Sequence, residues 1–295
     1  ALFSETTSNT MRPMDFIQRL SPFYVAAWTE AVAMRGTLAP FVYAWEPTGI
    51  TAVIGLAQDV EREIYIEALA KGSVALLRRA SGGGAVLLTS GMLCFGVMAP
   101  PAAAGNSIRQ AYQRLLEPVI DALRGLGVAA RLAGVSDIAV SLSGGDMAAA
   151  SRDGETLYKI AGCAQMRKRH AILVHGVLLL DADIALFSRY LRYPSEAPNY
   201  RSGRSHEEFC RNISAVLGRK ILPPEMAQIL CAEAQRRGWQ WRQIPSCLDA
   251  EAEALYHQKY LCEGWHWRRE RNSNLPAIPP PPLPLAFDKD EVSIR

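Results

Sequence analysis

The sequence predicts an α+β fold on three observations. Apolar runs of strand length crowd the first 180 residues, helical spacing takes over from about Asp183, and the two do not alternate as βαβ units. At 295 residues and 49% hydrophobic content, the chain can bury a sizeable core.

In chain order, Ser21-Pro22 marks a helix start and Gly36 a stop, so a helix runs to about Arg35. Its buried stripe is Ala27, Trp28, Ala31 and Val32. Residues 41–45 and 52–56 read as the two strands of a hairpin, followed by a helix over 59–70. A strand over 74–78 runs into a glycine loop, and 93–98 is further strand material. The clearest helix spans 108–126, with Tyr112, Leu115, Leu116, Val119, Ile120 and Leu123 at helical spacing. Strands follow at 137–141, 157–165 and 172–180. Residues 142–155 are rich in Ser, Gly, Asp and Ala and read as a loop, mobile until ligand binds. Later helices are expected at 207–217, 223–237 and 249–260. Residues 12–270 form the main unit; 271–295 is a tail with six prolines between Pro276 and Pro284, read as extended and passive.

A net charge of +3 is too small to point to nucleic acid or an anionic membrane, and no apolar run has membrane-spanning length. The first ten residues lack a basic start and a long apolar stretch, so no secretory signal is expected. Six cysteines (Cys94, Cys163, Cys210, Cys231, Cys247 and Cys262) include no Cys-x-x-Cys pair and have no histidine at zinc-finger spacing. Neither a disulfide framework nor a structural metal is expected, and the expected compartment is cytoplasmic.

The run that carries most chemistry is Arg78-Arg79-Ala80-Ser81-Gly82-Gly83-Gly84-Ala85-Val86. Glycines let backbone N–H groups approach a ligand, successive N–H groups form an anion-binding concavity, and arginine adds a planar charged fork. Phosphate recognition is one reading; a tight hairpin with two solvated arginines is the other. The run is neither a P-loop nor a dinucleotide fingerprint, since both spacings are missing.

Further along come Gly134-Val135-Ser136-Asp137-Ile138, Tyr158-Lys159-Ile160-Ala161-Gly162-Cys163-Ala164-Gln165 and Ile172-Leu173-Val174-His175-Gly176-Val177-Leu178-Leu179. Together with the glycine run, in this order, they resemble the lipoate–protein ligase branch of the biotin/lipoate ligase family. The resemblance covers residues 20–270. It implies a mixed, largely antiparallel sheet flanked by helices, as in biotin–lipoate ligases and class II synthetases. The implied activity is an ATP-dependent ligase that forms lipoyl-AMP, with ATP and Mg2+ as cofactors. Implied partners are lipoic or octanoic acid and a lysine of a lipoyl-carrier protein, either a lipoyl domain or a glycine-cleavage H-like protein. No nucleic-acid or membrane partner is implied.

By resemblance, Lys159 is the cation that stabilises charge on the α-phosphate and the acyl carbonyl oxygen, a role that suits a compact ammonium. Arg79 and the Gly84, Ala85, Val86 and Leu87 backbone align with ATP-phosphate contacts. Asp137 aligns with an aspartate near the reacting centre; it orients the incoming amine, holds magnesium, or makes a structural hydrogen bond. Arg78, Ser81, Gly82, Gly83, Gly162, His175 and Gly176 complete the substrate-binding set, with Gly82 and Gly83 read as shaping the loop. Arg78 reads equally as a substrate contact, a partner of a core acid or an exposed residue. Gly55, Val174, His175 and Gly176 are expected to wall an apolar acyl tunnel. His175 reads as a hydrogen-bonded structural imidazole rather than a general base.

Three departures bear on substrate. Leu87-Leu88-Thr89-Ser90 replaces an aromatic-His-Asp, Val177 replaces a threonine, and Tyr200-Arg201-Ser202-Gly203-Arg204-Ser205-His206 is an arginine-rich stretch without an assigned role. The competing activity is an acyltransferase of the same fold that takes octanoyl from acyl carrier protein through a cysteine thioester without ATP. One group of such transferases carries its cysteine near the position of Asp137, where this chain has none. Cys163, four residues after Lys159, should share its strand face at about 13 Å, too far to pair with it, and reads as packing. A third reading is a non-catalytic binding protein or one subunit of a two-part ligase.

Overall fold

The computed structural model describes residues 17–142 and 155–267. All but the two end residues of the 142–155 loop, and the proline-rich tail, lie outside the described residues.

The strands are β1 (Arg19–Leu20), β2 (Phe41–Pro47), β3 (Thr51–Ile54), β4 (Ala75–Arg78), β5 (Val86–Leu88), β6 (Met92–Ala99), β7 (Ala130–Ala133), β8 (Asp137–Ser141), β9 (Leu157–Arg167), β10 (Ile172–Leu179) and β11 (Gln240–Trp241). Among the described residues they form an eight-stranded sheet ordered β1-β2-β6-β10-β9-β8-β7, with β11 against β2, and a small sheet ordered β4-β3-β5. Pairing through the middle of the large sheet, from β2 to β7, is antiparallel throughout. Helices α1 (Pro22–Arg35), α2 (Val60–Glu63), α3 (Ile66–Gly72), α4 (Pro101–Ala104), α5 (Ile108–Gly125), α6 (Ala185–Tyr190), α7 (His206–Phe209), α8 (Ile213–Leu217), α9 (Pro223–Arg236), α10 (Ala250–Leu255) and α11 (Glu263–Trp267) flank the sheets. The α+β class read from the sequence is the fold observed.

The large sheet is buried on both faces, and side-chain alternation sorts its residues between two cores. Tyr43, Trp45, Cys94, Met98, Leu173 and Val177 pack toward α1 and the small sheet. Val42, Ala44, Leu93, Phe95, Val97, Ile172 and Val174 pack toward α5 and α9. The predicted stripes of α1 and α5 are buried in these two cores, except that Ala31 is buried without belonging to either.

Three local readings are corrected. The expected hairpin does not form: β2 pairs with β6, while β3 pairs in parallel with β4 and antiparallel with β5. Adjacent strands separated by a short turn look like a hairpin in sequence, yet here the chain crosses between two sheets. The single helices expected over 59–70 and 207–217 are each two short helices. Ile64 breaks the first by bridging to Leu191, and Cys210 breaks the second by bridging to Lys159. Ser21 makes no side-chain cap; Pro22 in the first turn and Gly36 at φ +89° delimit α1.

One clamp holds the small sheet to the C-terminal helices. Arg78, 1% exposed, gives Nη1 to the carbonyls of Gly55, Leu56 and Gln58 (3.1, 3.3 and 2.7 Å) and Nε to that of His266 (3.0 Å). Its amide donates to His266 Nδ1 at 3.0 Å, and its carbonyl accepts from Trp265 Nε1 at 2.7 Å. Burial pushes the His266 pKa down from 6.5 to about 4; the Tyr260 carbonyl opposes this and the Arg78 charge adds to it.

Arg78→Met should therefore destabilise the fold by roughly 3 kcal/mol, because it strands several buried carbonyls together. The readout is the midpoint of chemical denaturation. The same clamp gives a pH signature. Between pH 6.5 and about 4 the unfolded His266 binds a proton that the folded one refuses, so stability falls as pH drops through this window. His266→Gln should flatten that slope; an unchanged slope would remove His266 as its source.

Candidate active site

The site is built around an irregularity between β8 and β9. Ile138 pairs with Ala161 but its neighbour Ala139 pairs with Lys159, so Ile160 is an extra residue, a β-bulge. The alternation of β9 reverses at this point. Tyr158 before the bulge, the bulged Ile160 itself, and Ala161 and Cys163 after it all belong to the core toward α5. Lys159 is left on the opposite, cleft-lining face with Asp137. Its Nζ lies 2.8 Å from Asp137 Oδ1, and Tyr200 Oη donates to Asp137 Oδ2 at 2.8 Å. Burial disfavours the Lys159 ammonium, but Asp137 more than offsets it, so the pKa is raised and the lysine stays charged.

The bulge also corrects the reading of Cys163. Four residues along a regular strand would share a face; across the extra residue they do not. The Cys163 sulfur sits 2.8 Å from where a Gly176 Cβ would lie, beside Phe95 in the α5-side core, while its carbonyl faces Gly83. Burial, then Asp137, push its thiol pKa well above the usual range. Cys210 also borders the cleft, and burial raises its thiol too.

Facing Lys159 across a cleft of about 1090 Å3 is the glycine loop between β4 and β5. Gly82 N–H donates to the Gln165 carbonyl at 3.0 Å, tying the loop to β9. Gly83 takes φ +88°, and its carbonyl lies 2.1 Å from the place of a Gly55 Cβ, so neither position admits a side chain without strain. Arg79 reaches into the loop, with Nη2 bonded to the carbonyls of Gly82 (2.7 Å) and Gly84 (2.8 Å). Its Nη1 is buried without a protein partner. Burial lowers its pKa to about 10, so it remains a cation at neutral pH.

Of the residues singled out in the sequence, Arg79, Ser81, Gly82, Gly83, Gly84, Ala85, Val86, Leu87, Asp137, Lys159, Gly162, His175 and Gly176 all line this cleft. Arg78 does not. It alternates away from Arg79 and spends its guanidinium on the clamp already described. Val174 and Gly55 are likewise not wall residues: the first lies in the α5-side core and the second beneath the loop. His175 Nε2 meets Ser81 Oγ at 2.7 Å, and burial, with Arg79 nearby, pulls its pKa to about 3. The imidazole is thus hydrogen-bonded and held neutral by its burial.

A resident magnesium at Asp137 does not fit. One carboxylate oxygen meets an ammonium and the other accepts from a phenol, and among the described residues no three His, Cys, Asp or Glu side chains cluster as a metal site. Sequence reasoning missed Tyr200 and Cys210 as neighbours of Lys159. Tyr200 lies in the arginine-rich stretch that stood out in the sequence, but only folding brings it to β8.

A family model described as the lipoyl protein ligase A/B catalytic domain matches residues 22–235. The octanoyltransferase LipM of Kyrpidia tusciae is 29% identical over 249 residues, covering 80% of this chain and 89% of that protein. A Mycoplasma pneumoniae protein named "Probable lipoate-protein ligase A" is 30% identical over 173 residues, covering 58% of this chain but 46% of the relative. Among solved structures, a bipartite lipoate protein ligase from Thermoplasma acidophilum superposes with a TM-score of 0.69 at 23% identity, over 88% of this chain and 98% of its own, a likeness of fold. The matched span runs from α1 through both sheets to α9, and the chain belongs to the lipoyl protein ligase A/B catalytic-domain family.

Proposed function

We propose that the chain is an ATP-dependent ligase that joins lipoate or octanoate to a lysine of a lipoyl-carrier protein through an acyl-adenylate. The observation that carries this reading is the pairing of two fixed cations across the cleft. Lys159 is held by Asp137 on one side, and Arg79 presents a buried, unpartnered Nη1 on the other. Adenylation places negative charge on the α-phosphate and acyl carboxylate at once, and cations fixed beforehand need no reorganisation to stabilise it.

In the first step the acid's carboxylate attacks the α-phosphorus and pyrophosphate leaves. Arg79 Nη1 and the backbone at Gly84, which faces open space, suit the phosphate oxygens, and Lys159 suits the oxygen shared between phosphate and acyl group. In the second step a carrier lysine, as its neutral amine, attacks the acyl carbonyl; the bond from that carbon to the AMP oxygen breaks, the amine's extra proton passes to solvent, and Lys159 stabilises the developing oxyanion. Asp137 positions Lys159 throughout. The apolar chain fits the part of the cleft bordered by Val53, Leu77, Leu87 and Val177.

The similarity to LipM octanoyltransferases favours a second reading, octanoyl transfer through a cysteine thioester. That chemistry needs a thiolate. The three cysteines bordering the cleft, Cys94, Cys163 and Cys210, all have pKa values raised by burial, and the Cys163 sulfur packs beside Phe95 in the α5-side core, which supports the ligase.

Incubation with lipoate or octanoate, ATP and magnesium should yield acyl-AMP by mass spectrometry. Cys163→Ser should retain most of it. An octanoyl thioester trapped on Cys94, Cys163 or Cys210, with no acyl-AMP, would establish the transferase instead. Lys159→Ala should lower adenylation by on the order of 10²–10³ while the fold survives.

Gly162→Ala makes a finer test of where the ammonium sits. The added Cβ would lie 2.8 Å from Lys159 Nζ and 2.9 Å from Cε, atoms at the end of a flexible chain. The fold should absorb the methyl by displacing the lysine, costing roughly 10²-fold in rate with little change in melting temperature. Full activity in this variant would show that the position of Lys159 is not critical.

A further inference from the structure

Arg201 is a buried cation that nothing in the foregoing mechanism uses. It is 3% exposed, borders the cleft, and has an Nη2 with no hydrogen-bond partner. Among the described residues no carboxylate forms an ion pair with it, unlike Lys159, which has Asp137. A buried guanidinium without an ion-pair partner is costly, even with the Asp137 charge acting on it from a distance, and a ligand anion would complete it.

The surroundings show that its placement is built. Arg201 Nε donates to the Arg204 carbonyl at 2.8 Å, and Arg204 Nε donates back to the Arg201 carbonyl at 3.0 Å. The Arg201 guanidinium lies 4.5 Å from the Tyr193 ring centroid and 5.0 Å from that of Phe209. Arg204 lies 5.2 Å from Phe209 as well, so one ring supports both. The turn between them takes Ser202 through φ +52°, an uncommon conformation for a residue with a side chain, ahead of Gly203 at φ +76°. The preceding residue, Tyr200, is bonded to Asp137, so the whole turn is tied to the Lys159 centre.

We infer that Arg201 is a phosphate-binding residue of the cleft, supplying a second guanidinium in addition to Arg79 for the phosphoester of the acyl donor. A planar fork with its faces stacked and one edge free is suited to a phosphate oxygen, and its rigidity keeps the ordering cost low. Burial, the largest influence on its charge, lowers its pKa, as expected for a cation awaiting an anion. This inference rests on the cleft being the site of acyl transfer, not on the donor being a nucleotide. The same chemistry would recognise the phosphate of an acyl-adenylate or that of a phosphopantetheine arm.

The test compares each phosphorylated probe with its unphosphorylated partner. Affinities of AMP and adenosine, and of 4′-phosphopantetheine and pantetheine, are measured calorimetrically for the full chain and for Arg201→Met. The expected result is a roughly 10- to 100-fold loss of affinity for one phosphorylated probe, with its unphosphorylated partner bound as before. Loss confined to AMP supports the residue's role and identifies a nucleotide phosphate. Loss confined to phosphopantetheine also supports it, and counts against the nucleotide-using ligase. If Arg201→Met fails to fold, Arg201→Lys is read by the same ratio, where a smaller loss is expected because charge remains but the fork is gone. Arg204→Met serves as the control, since the Arg204 side chain does not border the cleft. Equal weakening of both members of each pair, or an equal change in Arg204→Met, would show that Arg201 acts only through the fold. Unchanged ratios in a protein that still makes acyl-AMP would overturn this inference and leave the ligase standing.

Discussion

The ion pair between Lys159 and Asp137 depends on a single extra residue in β9, and most of the site depends on that pair. A regular strand would carry Lys159, Ala161 and Cys163 on one face. The bulge at Ile160 breaks the period of two, so lysine and cysteine part company and Gly162 comes to lie beside the lysine side chain. Asp137 then meets the ammonium from the neighbouring strand, and Tyr200 closes over the carboxylate from a distant loop. Bulges re-aim side chains at the cost of a ladder bond, and here the re-aimed residue is the lysine that Asp137 holds in the cleft.

Among the described residues, three buried or part-buried cations border the cleft and a fourth, Arg78, lies outside it, and each meets burial differently. Lys159 has a carboxylate. Arg78 has backbone carbonyls, which satisfy its donors while it braces the small sheet against α11. Arg79 uses carbonyls for part of its fork and holds Nη1 unpartnered; Arg201 rests on aromatic faces with Nη2 unpartnered. Carbonyls and rings do not cancel a positive charge as a carboxylate does. Arg79 and Arg201 therefore each keep one unpartnered nitrogen beside the cleft, an arrangement that suits an anionic ligand.

Neighbouring arginines with opposite tasks show how little of this can be read from residue type. Arg78 and Arg79 are identical in sequence terms, yet alternation at the end of β4 turns one inward and the other toward the glycine loop. The same holds for helices: the runs over 59–70 and 207–217 are helical by spacing, but Ile64 and Cys210 leave the helix to make bridges with Leu191 and Lys159. Local propensity was overridden where docking a loop onto a distant strand gained more.

The α+β class, the strands that carry the motifs, the buried stripes of α1 and α5, and most of the residues that gather at the cleft are legible in the sequence alone. These follow from periodicity and from ordered motifs, both of which are local and survive in one dimension. Tertiary structure alone decided that β2 and β3 belong to different sheets, that Arg78 is a brace, that Cys163 and Lys159 lie on opposite faces of β9, and that Tyr200 and Arg201 lie beside Asp137 and the cleft. Each of those outcomes turns on strand register or on contact between segments far apart in the chain. A one-residue change of register reverses every side chain beyond it, and no local pattern records where that change falls.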